Sequence, residues 1–224
     1  VSDRNNKLTR PVMEKVAGIH RDAALPKYVP SSKTFVAQVE NSPPEINTDA
    51  LAYGREAVIY ATCFVNYNRP DTGVLAQRIL AKNGVLTTAL HPHCCGMPQL
   101  EQGLMGEVAE HAEIVAKAFR PHVNAGRDII ALTPSCALMM KFEWPLILPD
   151  DEDVAALAGV TRDITEYIVD IAKNEGLVDG LSALPEPIAL HLACHARAQN
   201  MGQKATEMLR LIPDADLKVI ERCS

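Results

Sequence analysis

The chain has 224 residues, of which 47% are apolar and 22% charged, and its net charge at neutral pH is −6. This is the composition of a globular protein that is long enough to bury a core in one or two domains. The acidic balance, without a cluster of basic residues, argues against a nucleic-acid partner. Because no apolar run approaches the ~20 residues needed to cross a bilayer, a membrane-spanning class is also excluded.

The first 54 residues are poorly patterned and predict an N-terminal region outside the main domains. Pro11 to His20 has a short helical pattern with proline in its first turn. Leu25 to Thr48 is rich in proline and serine and predicts an extended connector. Regular strand and helix patterns begin only after Arg55. We therefore predict that residues 1–54 comprise a helix and a connector.

The next segment, residues 55–150, alternates between strand and helix patterns and predicts a first domain. Short apolar runs predict three buried strands, at Ala57–Thr62, Val85–Leu90 and Asp128–Thr133. Helical periodicity predicts two helices between them, at Asp71–Asn83, with Asp71 as its N-cap, and at Leu104–Val123.

The last segment, residues 151–224, repeats this scheme and predicts the start of a second domain. The predicted order is a helix, a strand, a helix and a strand, at Thr161–Glu175 (capped by Thr161), Pro187–Leu192, Asn200–Leu211 and Leu217–Ile220. Strands that alternate with helices imply parallel sheets with right-handed crossovers. The predicted fold class is therefore α/β, with two related Rossmann-like lobes, each a small parallel sheet with flanking helices.

All six cysteines lie just beyond the carboxyl end of a predicted strand. They are Cys63, Cys94, Cys95, Cys136, Cys194 and Cys223. Ligands of open parallel sheets bind in the crevice outside these strand ends. A chain of this length can be stable without disulfide bonds. Metal or redox chemistry is therefore the better interpretation of the six cysteines. The first four should meet at one edge of the first sheet, although a single buried cysteine is more often inert.

Adjacent cysteines are unusual, and the pair Cys94-Cys95 lies in the stretch His91-Pro-His-Cys-Cys-Gly-Met-Pro98. Four thiolates without a CxxC pair suit either zinc or an iron–sulfur cluster. Structural zinc sites usually use short spacings, so ligands on widely separated loops favour a multi-iron cluster, whose neighbouring irons can bind neighbouring thiolates. His91 and His93 either tune or ligate the metal or are solvated loop residues.

The two halves also resemble each other around their cysteines. Ala61-Thr-Cys63 is followed by Cys94-Cys-Gly96, and Leu192-Ala-Cys194 is followed by Cys223-Ser224 at a similar distance. The simplest account is a duplicated domain whose second copy stops within its motif. We therefore expect the chain to be a piece of a longer protein.

Several motifs resemble the cysteine-rich CCG-domain family, which includes the B subunit of heterodisulfide reductase and the C subunit of anaerobic glycerol-3-phosphate dehydrogenase. The motifs that carry this resemblance are Leu25-Pro-Lys-Tyr28, Cys63-Phe-Val-Asn-Tyr-Asn68, Cys94-Cys-Gly-x-Pro98 and the stretch Cys194-His195…Met201-Gly202. They resemble the second of these proteins more closely than the first.

The resemblance implies an iron–sulfur cluster, of the [4Fe-4S] type, in a non-catalytic electron-transfer subunit. Its ligands would be Cys63, Cys94, Cys95 and Cys136, with Cys194 and Cys223 as the start of a second site. Electrons would pass from a flavoprotein dehydrogenase subunit, for glycerol 3-phosphate, to membrane quinone or a membrane-anchoring component. The implied location is cytoplasmic and peripheral to the inner membrane, through the complex.

Two departures from the family pattern leave alternatives open. Met139 stands where heterodisulfide reductase has the last cysteine of a CxxC, and Ser224 stands where the second pair would be completed. The alternatives are a heterodisulfide-type thiol–disulfide reductase subunit and a zinc-stabilised interaction domain.

Overall fold

The computed structural model describes residues 6–220 and is built around a four-stranded parallel sheet. Its strands are β1 (Glu56–Tyr60), β2 (Leu86–Leu90), β3 (Asp128–Ala131) and β4 (Thr161–Asp163). Their order across the sheet is β2-β1-β3-β4. The chain therefore moves to one side of β1 first and then to the other, which creates a topological switch point between β1 and β3.

Helices cover both faces of this sheet. One face packs against α5 (Met105–Asn124), α7 (Trp144–Ile147) and α8 (Glu152–Val160). The other face packs against α2 (Phe35–Asn41), α3 (Pro70–Lys82) and α9 (Ile164–Asn174). The remaining helices beside these layers are α1 (Arg10–Ala17), α4 (Met97–Glu101) and α6 (Pro134–Leu138).

The central strand β1 is buried on both faces, as its continuous apolar sequence predicts. Val58 and Tyr60 point into the core beneath α5, where Tyr60 meets Phe119 edge to face with 5.9 Å between ring centroids. Ala57 and Ile59 point into the opposite core, beneath α2 and α3. Because successive side chains of a strand point to opposite faces of the sheet, β1 contributes side chains to both hydrophobic layers.

A second, smaller parallel sheet follows near the end of the described chain. It consists of β5 (Ile188–His191) and β6 (Leu217–Ile220), connected through α10 (Cys194–Ala198) and α11 (Lys204–Leu209). The predicted α/β class with parallel sheets is confirmed; the two sheets differ in size, with four strands and two strands.

The segment predicted to be an extended connector contains a helix, so that prediction was partly wrong. A short 3-10 turn at Ser31–Lys33 precedes α2. The Thr34 side chain caps α2 by accepting a hydrogen bond from the Ala37 N–H, and the adjacent Phe35 is completely buried. Proline on either side of this short helix obscured its pattern.

Thr161 was predicted to cap a helix, but it begins strand β4 instead. Residues 161–163 pair in parallel with β3, and the Thr161 hydroxyl donates to the Leu157 carbonyl. The cap of α9 is Asp163, which forms a capping box with Glu166. The sheet thus takes its fourth strand from beyond residue 150, where the sequence places the second domain. The division of the chain at that residue stays a prediction.

Two other predicted helix starts are displaced. Asp71 lies in the first turn of α3 rather than at its N-cap, which is Arg69, because Pro70 already occupies the first helical position. The helix predicted from Asn200 begins only at Lys204, since Asn200 has a left-handed backbone with φ of 52°.

Gly73 is the point where α3 meets α2 closely. A Cβ at this position would lie 2.6 Å from the Phe35 ring and 2.8 Å from a Val65 methyl group. Since neither buried side chain has room to move, we expect Gly73→Ala to lower the free energy of unfolding by about 1–3 kcal/mol. Denaturant unfolding measures this change.

The matched control is Gly106→Ala in α5, where a new Cβ meets nothing within 4 Å. Alanine should raise the free energy of unfolding there by about 0.4–1 kcal/mol, because it reduces the entropy of the unfolded chain. Equal stabilisation of both variants would contradict the close contact at Gly73.

Candidate metal centre

Three strand-end loops deliver four cysteines to the carboxyl edge of the large sheet. Cys63 follows β1, Cys94 and Cys95 follow β2, and Cys136 lies in α6, directly after β3. This edge contains the switch point between β1 and β3, where open α/β sheets bind ligands. The predicted position of these cysteines at strand ends agrees with the structure. We call Cys63, Cys94, Cys95 and Cys136 the four-thiol site.

The side chains of the four-thiol site contact one another in a row. The Cys63 thiol interacts electrostatically with Cys94, and Cys94 with Cys95, so that each influences the pKa of its neighbour. The row ends at Cys136, whose Sγ lies 3.2 Å from the Cys95 Sγ. Cys63 and Cys94 are partly exposed, whereas Cys95 and Cys136 are only 3% and 8% exposed. The site therefore has one open end and one buried end.

Negative charge in the row is concentrated on Cys94. Hydrogen bonds from Cys63 and Cys95, followed by one from the Gly96 N–H, lower the pKa of Cys94 to about 2. The hydrogen bond with Cys94, together with burial, raises the pKa of Cys63. The hydrogen bond with Cys136 is the main cause that raises the pKa of Cys95. The four thiols by themselves thus favour a thiolate at Cys94 between two protonated neighbours.

The backbone after the adjacent cysteines provides donors for both sulfurs. The Gly96 N–H contributes to lowering the pKa of Cys94, and the Met97 N–H acts on the pKa of Cys95 in the same direction. Gly96 is in the left-handed conformation, with φ of 82°, which lets the chain turn directly from the cysteine pair into α4. This turn explains the glycine after the pair.

Two buried aromatic side chains fix the loop that carries the pair. The Tyr60 hydroxyl donates to the His93 carbonyl at 2.7 Å, and the Trp144 indole N–H donates to the Cys95 carbonyl at 3.1 Å. Sequence reasoning missed both contacts. Both residues stand outside the cysteine motif, and only the fold brings them to it.

The two histidines of the motif have different surroundings. His91 donates from Nδ1 to the Ala61 carbonyl at 2.5 Å, and its Nε2 lies 4.0 Å from the Cys63 Sγ. Burial is the main cause that lowers the pKa of His91. His93 instead meets His111 of α5, with ring centroids 4.2 Å apart, and neither Nδ1 has a hydrogen-bond partner. No pattern in the sequence pointed to His111.

The polar residues after Cys63 form hydrogen bonds with the N-terminal region. The Asn66 side chain accepts from the Val36 N–H at 3.1 Å, and Asn68 donates to the Lys27 carbonyl at 2.8 Å. Both lie in a π-helical segment, Phe64–Asn68, and a second such segment, Met139–Glu143, follows Cys136. Met139 in that second segment is completely buried in the core.

The predicted second site is only partly within the described residues. Cys194 is exposed at the start of α10, and Cys223 lies outside the described residues. Helix α10 packs against α6, and Gln199 joins the two by donating to the Pro134 carbonyl at 3.1 Å. The roles of Cys194 and Cys223 as ligands of a second cluster stay predictions.

The donor chemistry of the four-thiol site suits a thiophilic metal group, but the sulfurs would have to separate to hold one. Ligands of a tetrahedral zinc ion lie about 3.8 Å apart, given a zinc–sulfur bond of about 2.3 Å. The Cys95 and Cys136 sulfurs are closer than this, at 3.2 Å. Accordingly, within residues 6–220 no three His, Cys, Asp or Glu side chains are already spaced around a metal ion.

Comparison with known proteins identifies the segment that carries the four-thiol site. Residues 57–141 match the family model of the CCG cysteine-rich domain. The segment that holds the four-thiol site is thus similar to a CCG domain. All four thiols lie inside it, and so does His91, whereas Cys194 follows it.

Two known proteins are similar to this chain over a region longer than residues 57–141. The chain is 26% identical over 221 residues to the C subunit of anaerobic glycerol-3-phosphate dehydrogenase of Escherichia coli (strain K12), covering 96% of this chain and 52% of that protein. It is 27% identical over 142 residues to lactate utilization protein A of Geobacillus sp. (strain WCH70), covering 61% and 56%. The chain thus spans about half the length of the curated relatives it matches. No solved structure matches it significantly.

The helices of the described chain were also compared with the requirements of a membrane span. Among residues 6–220, no helix is both long enough and apolar enough to cross a bilayer.

The Tyr60 contact can be tested by removing one oxygen atom. Tyr60→Phe should lower the free energy of unfolding by about 1–3 kcal/mol, because the His93 carbonyl loses its donor inside the protein. Tyr53→Phe is the matched control, since Tyr53 is 58% exposed and its loss should change stability by less than about 0.5 kcal/mol. Similar effects of the two substitutions in denaturant unfolding would show that Tyr60 does not anchor the loop.

Proposed function

We propose that this CCG-like segment binds an iron–sulfur cluster through Cys63, Cys94, Cys95 and Cys136 and acts as an electron-transfer module. The observation that carries this proposal is the contact of four thiols from three separate strand-end loops. Four cysteine sulfurs are the ligand set of [4Fe-4S] clusters, which is the cluster type we favour. When bound, such a cluster supplies one-electron transfer.

The protein's own residues would contribute the environment of that group. Gly96 and Met97 supply N–H donors to the cysteine sulfurs, and donors of this kind tune the reduction potential of a cluster. Burial of Cys95 and Cys136 excludes water from one end of the site. Partial exposure of Cys63 and Cys94 leaves the other end accessible to a redox partner.

The likeness to the anaerobic glycerol-3-phosphate dehydrogenase protein supports a place in a dehydrogenase complex. In this proposal a flavoprotein dehydrogenase subunit, acting on glycerol 3-phosphate, donates the electrons. A quinone or a membrane-anchoring component accepts them, so the protein works at the cytoplasmic side of the inner membrane. The chain itself is proposed to be non-catalytic, with Cys194 and Cys223 as the start of a second cluster site.

A heterodisulfide-type reductase is less favoured by the geometry. Such an enzyme must bring a disulfide substrate to the reacting thiols or metal, whereas Cys95 and Cys136 are buried. Met139, completely buried, offers no further thiol beside Cys136. The other alternative, a zinc-stabilised interaction domain, uses the same four sulfurs and differs only in the metal.

Metal analysis of protein purified without oxygen separates these alternatives. We expect stoichiometric iron and acid-labile sulfide, little zinc, and an electron paramagnetic resonance signal after reduction. Cys94→Ser and Cys95→Ser should each lose most of the iron, because an alcohol is a poor substitute for a thiolate ligand.

Gly106→Ala is the control for this measurement, since it lies in α5, outside the four-thiol site, where a new Cβ meets nothing within 4 Å. It should retain the iron of the first site. Zinc in place of iron, or a well-folded protein without metal, would overturn the proposed electron-transfer function.

A further inference from the structure

The ring of His91 has a defined protonation pattern. Its Nδ1 lies 2.5 Å from the Ala61 carbonyl oxygen, which can only accept a hydrogen bond. The proton therefore resides on Nδ1, and the neutral ring leaves a lone pair on Nε2. Metal-bound histidines are commonly oriented in this way, with the remote ring nitrogen donating to a backbone carbonyl.

The lone pair of His91 Nε2 faces the open end of the four-thiol site. Nε2 lies 4.0 Å from the Cys63 Sγ. A nitrogen and a sulfur that share one tetrahedral metal ion lie about 3.5 Å apart, given bonds of about 2.0 and 2.3 Å. The observed separation is already close to that value, so a small movement would allow both atoms to bind one metal.

Packing restricts the orientation of the His91 ring. Tyr67 meets it edge to face, with 5.1 Å between ring centroids. His91 directly follows β2, whose last residue, Leu90, accepts a backbone hydrogen bond from Ala61 at 2.8 Å. Ala61 thus connects to the residue before His91 as well as to its ring, which holds Nε2 on the side of Cys63.

From these contacts we propose that His91 Nε2 is a metal ligand, which would bind the same iron as Cys63 in place of one of the inorganic sulfides of that iron, so that a nitrogen joins the four cysteine sulfurs as a donor. This inference rests on the proposed function, because it assumes that the four-thiol site holds an iron–sulfur group. The proposed donor atom is a nitrogen, unlike the four cysteine sulfurs. A measurement that detects nitrogen near iron can therefore test it without any assay of activity. Ligation releases no proton, because the proton of the ring stays on Nδ1.

The test is pulsed electron paramagnetic resonance of the reduced wild-type protein, with histidine labelled by nitrogen-15. We expect a strongly coupled imidazole nitrogen in the wild-type protein. His91→Asn and His91→Ala should both lose it, whereas His122→Asn should retain it. His122 is a suitable control because it lies at the far end of α5, where it contacts Arg127.

The asparagine variant separates ligation from positioning. Its amide N–H can still donate to the Ala61 carbonyl, but no atom of asparagine reaches the position of Nε2. If His91 only positions the loop, His91→Asn should match the wild-type spectrum and His91→Ala should differ. That result, or an iron signal without strong nitrogen coupling in the wild-type protein, would overturn the proposal.

Metal content distinguishes failure of this inference from failure of the proposed function. A wild-type protein that contains no iron would overturn the proposed function, and cobalt(II) would then serve as the probe of the site. A visible cobalt spectrum that shifts between the wild-type protein and His91→Asn would support His91 as a ligand. Identical spectra would overturn it.

Discussion

Four thiols in mutual contact cannot all ionise, and the region around Cys94 is organised by that electrostatic constraint. Among the thiols themselves, protonation of Cys63 and Cys95 stabilises a single thiolate at Cys94. A bound metal group would replace those protons with positive charge and allow the sulfurs to separate. The adjacent cysteines, unfavourable on their own, become useful when one cofactor binds both.

Hydrogen bonds from buried side chains hold the backbone around the site in place. Tyr60 and Trp144 hold the carbonyls of the cysteine loop from beneath, and both are completely buried. The Thr62 and Thr133 hydroxyls meet at 3.0 Å and join the ends of β1 and β3. These contacts keep the three loops together, although the sulfurs themselves would still have to separate to hold a metal group.

The smaller sheet is connected to this region through polar contacts. The buried Gln199, at the end of α10, donates to the Pro134 carbonyl at 3.1 Å and to the Asp163 carboxylate at 3.4 Å. Both contacts lie near the carboxyl ends of β3 and β4. The start of the second lobe therefore packs near the helix that carries Cys136, which offers a physical route by which the two halves influence each other.

The sequence by itself determined the α/β class, the three strands that precede the first four cysteines, and their position at strand ends. These follow from local apolar runs and from the residues next to them. Only the tertiary structure decided that Thr161 belongs to a fourth strand, that Tyr60 and Trp144 hold the loop, and that His91 faces Cys63. The reason is that pairing of strands and contacts between distant residues depend on the whole fold, whereas hydrophobic periodicity reports only which face of a local segment is buried.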